Sequence, residues 1–401
     1  MSTKGKGKDS AKLLLDSSGM SHILSPKHKL LKHAKSTFED NPSKLIAAGS
    51  HRTELVKKGY IILWFNPPPY LVNRPEAWKL GFDTCAFNNC TMTSDHSYVL
   101  ESEAVLLDGR RLRRRPFFKR PPGQIWVFVA HESPLKYDNN GHAWRNSFLR
   151  GEFNWTMTYN RHNTDIYYPY GELRKHPNYV DRDYRAIALK KSRGALLITS
   201  NCNTTSKREK YVAELKRYYA VDVLGDCFGT PWNCGTRHVH DKCFDLLNET
   251  YKFYLAFENG LCHQYFTEKF FENYNYDIIL VVRGGSYGEA ARRFPMHTII
   301  SADSFDSPKA LGEYLARLSW DIDEYAELLK SKSQYYFTGY ATVYQRALCE
   351  VCERMHHQDK YRQSINDTME WAFRNEPCRV PTNETDDWLK ETSTSQSKTF
   401  H

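Results

Sequence analysis

The 401-residue chain contains no run approaching the roughly 20 consecutive apolar residues that a membrane-spanning helix requires. Its start, MSTKGKGKDSAKLLLDSSGMSHILS, is basic but carries no sustained apolar stretch of the kind an export signal needs. The chain as given is therefore expected to have neither anchor nor export signal, as for a truncated, alternatively started or soluble form. Also missing are a G-x-x-x-x-G-K-[ST] loop and a G-x-G-x-x-G loop, which excludes an ordinary P-loop ATPase and a dinucleotide dehydrogenase. Basic residues are plentiful, but no RNA-reader module accompanies them, so nucleic acid is not an expected partner. Internal repeats are absent.

What is present suits a globular protein of two domains. Hydrophobic residues make up 40% and aromatics 14%, with 26 Tyr, enough to bury substantial cores. The net charge of +9 is unevenly spread, because Arg110, Arg111, Arg113, Arg114, Arg115, Lys119 and Arg120 crowd one stretch. That stretch fits a solvated loop, or a docking surface for an acidic partner or anionic glycan. Ten cysteines, an even count, favour disulfides if the chain is secretory, and five of them (Cys202, Cys227, Cys234, Cys243, Cys262) lie close in sequence. Five N-x-S/T sequons, at Asn89, Asn203, Asn248, Asn366 and Asn383, suit a lumenal chain, whereas Asn154 sits in a segment expected to be buried. Cys349 and Cys352 form C-x-x-C beside His356 and His357, and Cys85 and Cys90 are a second close pair. Disulfides, a structural zinc site and free thiols all remain open for these four.

Hydrophobic patterning reads as alternating strands and helices. Tyr60–Phe65, Ala104–Leu107 and Ile125–Ala130 are short apolar runs bounded by turn residues, and the alternation from Phe153 to Tyr159 predicts a half-buried strand. Further strands are expected at Ala195–Thr199, Val221–Leu224, Lys252–Phe257 and Ile278–Val282. Helices are expected at Ser206–Tyr219, with Ser206 and Glu209 at capping-box spacing, at Thr267–Asn275 and at Pro308–Leu318. The fold class is α/β with parallel sheets covered on both faces. Residues 1–50 form a tail, 51–178 and 179–345 two domains, and 346–401 a C-x-x-C segment with a polar end expected to fray beyond Asn375.

In open parallel sheets ligands collect beyond the carboxyl ends of the strands, where following helices aim their amides. Ser200 and Asn201, Glu258 and Asn259, and Gly284 and Gly285 each follow a predicted strand. Arg208 and Lys269, in the first turns of two helices, add cations there that suit a pyrophosphate, although each alone reads equally as a surface charge. Two D-x-D triplets, Asp181–Asp183 and Asp321–Asp323, lie in helix-like charged sequence and read as solvated faces rather than metal sites. Trp126 and Trp155 read as core, and His131 as either a structural residue or a partner of Glu132.

Four stretches then carry a family resemblance. YKFYLAFENGLCHQYFTEKFF at Tyr251–Phe271 resembles the signature of the α1,3-fucosyltransferases, in which FEN, a spaced aromatic and TEK recur in that order. RPPGQIWVFVAHESP at Arg120–Pro134, FNWTMTYNRHNTDIYYPYG at Phe153–Gly171, and SNC followed by Arg208 and YVAEL are similar to three more of its motifs. The match runs from about Tyr60 to Cys352 and is most like invertebrate and plant members. The chain departs from the family at NRHNTDI, where Asn163 replaces an acid, and at Gly260 and Gln264, where Ser and Asp are common.

The resemblance implies an inverting, GDP-fucose-dependent enzyme of GT-B architecture, with two facing Rossmann-like domains. The N-terminal one would take an N-acetylglucosamine-containing glycan as acceptor, for transfer to its 3-hydroxyl, and the C-terminal one GDP-fucose. It assigns Glu132 as catalytic base and Arg208 and Lys269 as ligands of the donor phosphates. Asn259, Tyr265 and Glu268 would contact the nucleotide sugar, with Glu258 in the same motif. No metal ligands and no cofactor beyond GDP-fucose are implied, Mn²⁺ being at most a stimulant. The resemblance also implies disulfides tying Cys349 and Cys352 to Cys85 and Cys90, and residence in the Golgi lumen, with the membrane reached only through an anchor this chain lacks. A catalytically silent carbohydrate-binding protein and a different nucleotide-sugar transferase are the competing readings on the same fold.

Overall fold

Short segments rich in aromatic and β-branched residues build two separate parallel sheets. The computed structural model describes residues 59–389 apart from 73–78, 113, 138–148, 226, 228–241, 286–293, 376–377 and 384–385. The expected tail 1–50, Arg113, Cys234 and the side chain of Cys243 therefore lie outside the described residues. The first sheet comprises β1 (Tyr60–Trp64), β2 (Cys90–Thr93), β3 (Ala104–Asp108), β4 (Ile125–Ala130), β5 (Trp155–Thr158) and β6 (Ile166–Tyr167), in the order β2-β1-β3-β4-β5-β6. All its pairings are parallel. Two antiparallel pairs stand outside the main sheets: β7 (Leu173–Lys175) with β14 (Tyr335–Phe337), and β11 (Leu261–Cys262) with β15 (Cys378–Arg379). The second sheet, β8 (Arg193–Ile198), β9 (Val221–Leu224), β10 (Tyr251–Phe257), β12 (Ile279–Arg283) and β13 (Ile300–Ser301), is also all parallel, in the order β13-β12-β10-β8-β9. The expected α/β class with two Rossmann-like halves is thus what the chain adopts.

Parallel strands must be covered on both faces, and the way the first sheet achieves this ties the chain's ends together. Residues Ile62, Trp64, Leu106, Val127 and Met157 pack against Tyr344, Leu348 and Val351 of the helix Tyr340–His356, which comes after the whole second sheet. The boundary expected at 345/346 falls inside this helix. Alternate residues, among them Val105, Leu107, Trp126 and Phe128, fill the opposite face. Disulfides Cys85–Cys349 and Cys90–Cys352, spanning 264 and 262 residues, fasten the returning helix to the first half. The resemblance implied this pairing, and it takes up both thiols of the C-x-x-C. Cys202–Cys227 and Cys262–Cys378 are also bonded.

Several local expectations are corrected by tertiary partners. The strand at Phe153–Tyr159 is not half-buried: β5 is buried on both faces, because Asp165 accepts from the Thr156 amide (2.8 Å) and hydroxyl (2.9 Å). The helix expected from Ser206 begins at Arg208 and forms no capping box. Ser206 instead donates its hydroxyl to the Glu258 carbonyl (2.7 Å), Lys207 adopts the left-handed region (φ 53°), and Glu209 accepts from the Thr204 hydroxyl (2.8 Å). The helix expected over Thr267–Asn275 is a single turn, Glu268–Phe271, with Thr267 at its N-cap. The chain beyond Asn375 does not fray throughout, since Cys378 is disulfide-bonded and Trp388 and Leu389 are buried in the second core.

Other expectations are met or sharpened. Each D-x-D serves a helix start: Asp183 accepts from the Ala186 amide and Asp321 from the Glu324 amide. Asn89, Asn203, Asn248, Asn366 and Asn383 are exposed. Asn154 is half-buried, its side-chain oxygen taking the Trp126 amide (2.9 Å). Trp126 and Trp155 are core residues. Among the described residues no helix is long and apolar enough to cross a membrane.

Candidate active site

The site is built where β4 and β10 end. Beyond Ala130, His131 is sandwiched between the rings of Tyr168 (4.2 Å, 6°) and Tyr170 (3.9 Å, 7°), with the Tyr70 hydroxyl 3.0 Å from Nδ1. Stacked aromatic rings fix this segment as it leaves the sheet, the structural role considered for His131. The next residue, Glu132, is partly exposed, its side chain at 24%. Its Oε2 accepts from the Tyr265 hydroxyl (3.0 Å) and from Nδ2 of Asn259 (3.3 Å), while Oε1 accepts from Nη1 of Arg110 (3.1 Å). One carboxylate therefore joins the two halves. Their close approach depends on Gly260, where a Cβ would sit 2.7 Å from Oγ of Ser133.

From the second half, β10 delivers Glu258 and Asn259. Glu258 is 1% exposed; its carboxylate takes the Thr267 amide (2.8 Å) and hydroxyl and lies 3.5 Å from the Lys269 ammonium. Glu258 therefore lies beneath Thr267 and Lys269 and holds the TEK turn in place. Arg208 is 3% exposed and donates to the Phe257 carbonyl (2.8 Å), the Thr199 hydroxyl (2.6 Å) and the Asn201 carbonyl (3.3 Å). Lys269 donates to Glu268 (2.8 Å) and to Oγ1 of Thr267 (3.0 Å). Glu132, Asn259 and Tyr265 thus form one bonded group and Glu258, Glu268 and Lys269 another, and Arg208 is coupled to Glu258 and Glu268 through charge.

Charge in the network is finely opposed. Burial pushes the Glu258 carboxyl up, and Lys269 draws it back down. Burial likewise works against the Lys269 ammonium, but Glu268 and Glu258 outweigh it and hold its pKa above the ordinary lysine value. Enclosure raises the Glu268 carboxyl, yet Lys269 brings it to about 2. Burial and then the Glu132 charge push the Tyr265 hydroxyl well above its ordinary range, so it remains a donor to Glu132. Nε of Arg208 and Oδ1 of Asn259 are buried without a partner among the described residues.

Sequence reading missed several members. Arg110 read as part of a solvated basic run, although its place two residues past β3 was a usable signal, since β3 neighbours β4. Lys136 stands in the turn after Glu132 and faces the same charges: burial pulls its ammonium down, Glu132 draws it up, and Arg110, Arg208 and Lys269 oppose it. Arg283, fully buried, donates to the Ser206 carbonyl (2.7 Å) and lies over the Tyr211 ring (4.5 Å). Farther along the same stretch, Arg115, Phe117, Lys119 and Arg120 line an open groove of about 720 Å³. Asp165, in the departing NRHNTDI segment, is committed to β5 rather than to the site. Among the described residues the only grouping of metal-ligating side chains is Cys90, Cys352 and His356, and its two sulfurs are bonded to each other.

Known proteins resemble this chain along most of its length. The model for "Fucosyltransferase, N-terminal" matches residues 56–171, and that for "Glycosyltransferase family 10 (fucosyltransferase) C-term" matches residues 188–371. α-(1,3)-Fucosyltransferase C of Drosophila melanogaster is 28% identical over 369 residues, 83% of this chain and 81% of that one. A 3-galactosyl-N-acetylglucosaminide 4-α-L-fucosyltransferase of Bos taurus is 32% identical over 326 residues, 78% of this chain and 81% of that one. A solved α1,3-fucosyltransferase with GDP-fucose aligns loosely, with a TM-score of 0.44 and 16% identity over 68% of this chain and 81% of that one. Matched in both halves and over most of its relatives' length, the chain belongs to glycosyltransferase family 10, the fucosyltransferases.

Proposed function

We propose that this protein transfers L-fucose from GDP-fucose to the 3-hydroxyl of an N-acetylglucosamine in a glycan, with inversion at the anomeric carbon. The observation that carries the reading is the position of Glu132, a partly exposed carboxylate of the first half held directly against Asn259 and Tyr265 of the second. The acceptor oxygen attacks the anomeric carbon from the face opposite GDP, and Glu132 takes its proton. The transition state resembles an oxocarbenium ion, and the departing diphosphate gains charge. Arg208 and Lys269 supply cations for that charge, so the scheme needs no cofactor beyond the donor and tolerates stimulation by Mn²⁺. Asn259, Tyr265 and Glu268 contact the nucleotide sugar, with Glu258 bracing the turn that presents Lys269.

Disulfides and exposed sequons fit work in an oxidising lumen, and we place the enzyme in the Golgi. The test is to incubate purified protein with GDP-fucose and a defined array of N-acetylglucosamine-containing glycans, with and without excess chelator. Linkage analysis of the product should give α1,3-fucose in both conditions. A product linked through the 4-hydroxyl would overturn the assigned position, loss of turnover on chelation the metal-free scheme, and absence of transfer the activity.

A further inference from the structure

Among the described residues three donors reach the Glu132 carboxylate, and they come from opposite sides. Tyr265 and Asn259 approach Oε2 from the second half, and Arg110 approaches Oε1 from the half that carries Glu132 itself. The inference rests on the proposed function, in which Tyr265 and Asn259 turn to the nucleotide sugar once donor is bound. Arg110 is then the donor that stays with the base.

The backbone beneath Arg110 is built to hold that position. Arg110 donates its amide to Oδ1 of Asp108 (2.9 Å), and Asp108 is braced by Asn66, which accepts the Asp108 amide (2.7 Å) and donates to its carbonyl (2.9 Å). Between them, Gly109 donates to the Val129 carbonyl (2.9 Å), and a Cβ at this position would lie 2.3 Å from the Phe128 ring. The turn is therefore pressed against β4, the strand that leads to Glu132. The Arg110 side chain is itself 51% exposed, and an ion pair so exposed adds little to stability. Its contribution is geometric.

We propose that Arg110 is a positioning residue for the transfer, a charge-assisted donor that fixes Oε1 of Glu132 and leaves Oε2 to receive the acceptor's proton. As the acceptor oxygen bonds to the anomeric carbon, its proton passes to Oε2. The bond from that carbon to the diphosphate breaks with its electron pair on GDP.

The test compares wild type, Arg110→Gln and Arg110→Lys by steady-state kinetics with GDP-fucose and an N-acetylglucosamine-terminated acceptor, alongside GDP calorimetry and melting temperature. In Arg110→Gln, kcat should fall about 10- to 100-fold, with GDP affinity and melting temperature near wild type. Arg110→Lys should recover part of kcat, because an ammonium can still donate to Oε1. A kcat within about twofold of wild type in Arg110→Gln, GDP affinity falling in step with kcat, or no recovery in Arg110→Lys would each overturn the proposal. Failure of the wild type itself to transfer fucose is a separate result and would overturn the proposed function along with it.

Discussion

Tyr265 donates its hydroxyl to Oε2 of Glu132 across 3.0 Å, between residues 133 positions apart in the two halves of the molecule. The bond places a buried phenol from the FEN…TEK region against a carboxylate from the HESP turn. A residue that only solvates a turn has no need of such a partner, so chemistry at Glu132 can be tested separately from folding.

Glu132→Gln keeps the size of the side chain and an oxygen for Tyr265 or Arg110 to bond, but it cannot take a proton. A positioned general base contributes about 10²–10⁴ in rate. Transfer should therefore fall at least about a hundredfold, with GDP affinity and melting temperature close to wild type. A variant that retains more than about a tenth of wild-type kcat under saturating substrates would remove Glu132 from the role.

The donor assignment predicts two kinds of cation loss. GDP at about 100 times its dissociation constant should stabilise the wild type by roughly 2.7 kcal/mol. Lys269→Ala leaves Glu258 buried without its ammonium, so its melting temperature should drop as well as its GDP affinity. Lys136 shares the field of Arg208 and Lys269 but also faces Glu132; if its charge reaches the diphosphate, Lys136→Gln should weaken GDP about tenfold while leaving guanosine binding unchanged. Equal losses for GDP and guanosine would place Lys136 away from the diphosphate.

How much of this was readable before the structure follows from where each partner lies in sequence. Strand ends and first helical turns marked Glu258, Asn259 and Lys269, whereas Glu132 was assigned through the resemblance of its motif. Arg110 and Lys136 were harder, since their relevance comes from two strands being neighbours and no local pattern encodes that order. The capping box at Ser206 and Glu209 failed for a related reason: the spacing was right, but the Glu258 carbonyl, 52 residues away, takes the Ser206 hydroxyl. The alternation over Phe153–Tyr159 was real, and its polar side is nevertheless buried because Asp165 and Thr164 satisfy it.

The bridges Cys85–Cys349 and Cys90–Cys352 close loops of more than 260 residues around almost the whole described chain. Losing a native disulfide commonly costs about 2–5 kcal/mol. Cys352→Ser should lower the melting temperature and yet, once folded in the cold, retain measurable transfer, because the cysteines lie outside the Glu132 network. Peptide mapping without reduction checks the connectivity. Finding Cys349 joined to Cys90, or both cysteines free in active protein, would refute it.

The last prediction concerns Asp108, the buried acid on which the Arg110 turn rests. Burial raises its pKa from 3.8 to about 7, against the Arg110 amide and the charges of Arg111 and Arg110, which lower it, and with a small upward push from Glu132. A carboxyl with a raised folded pKa binds more protons folded than unfolded between those two values. Stability contributed by this group is therefore full below about pH 4 and is lost as pH rises toward about 7. The change is at most on the order of 4 kcal/mol, since each pKa unit is about 1.36 kcal/mol. Asp108→Asn retains an oxygen for the Arg110 amide and removes the titration. It should melt closer to the wild type at pH 5 and above it at pH 8, with a flatter dependence between. Melting curves across that range decide the matter: an Asp108→Asn slope equal to that of wild type would mean that Asp108 is not protonated when folded, and that the turn beneath Arg110 is held by a charge instead.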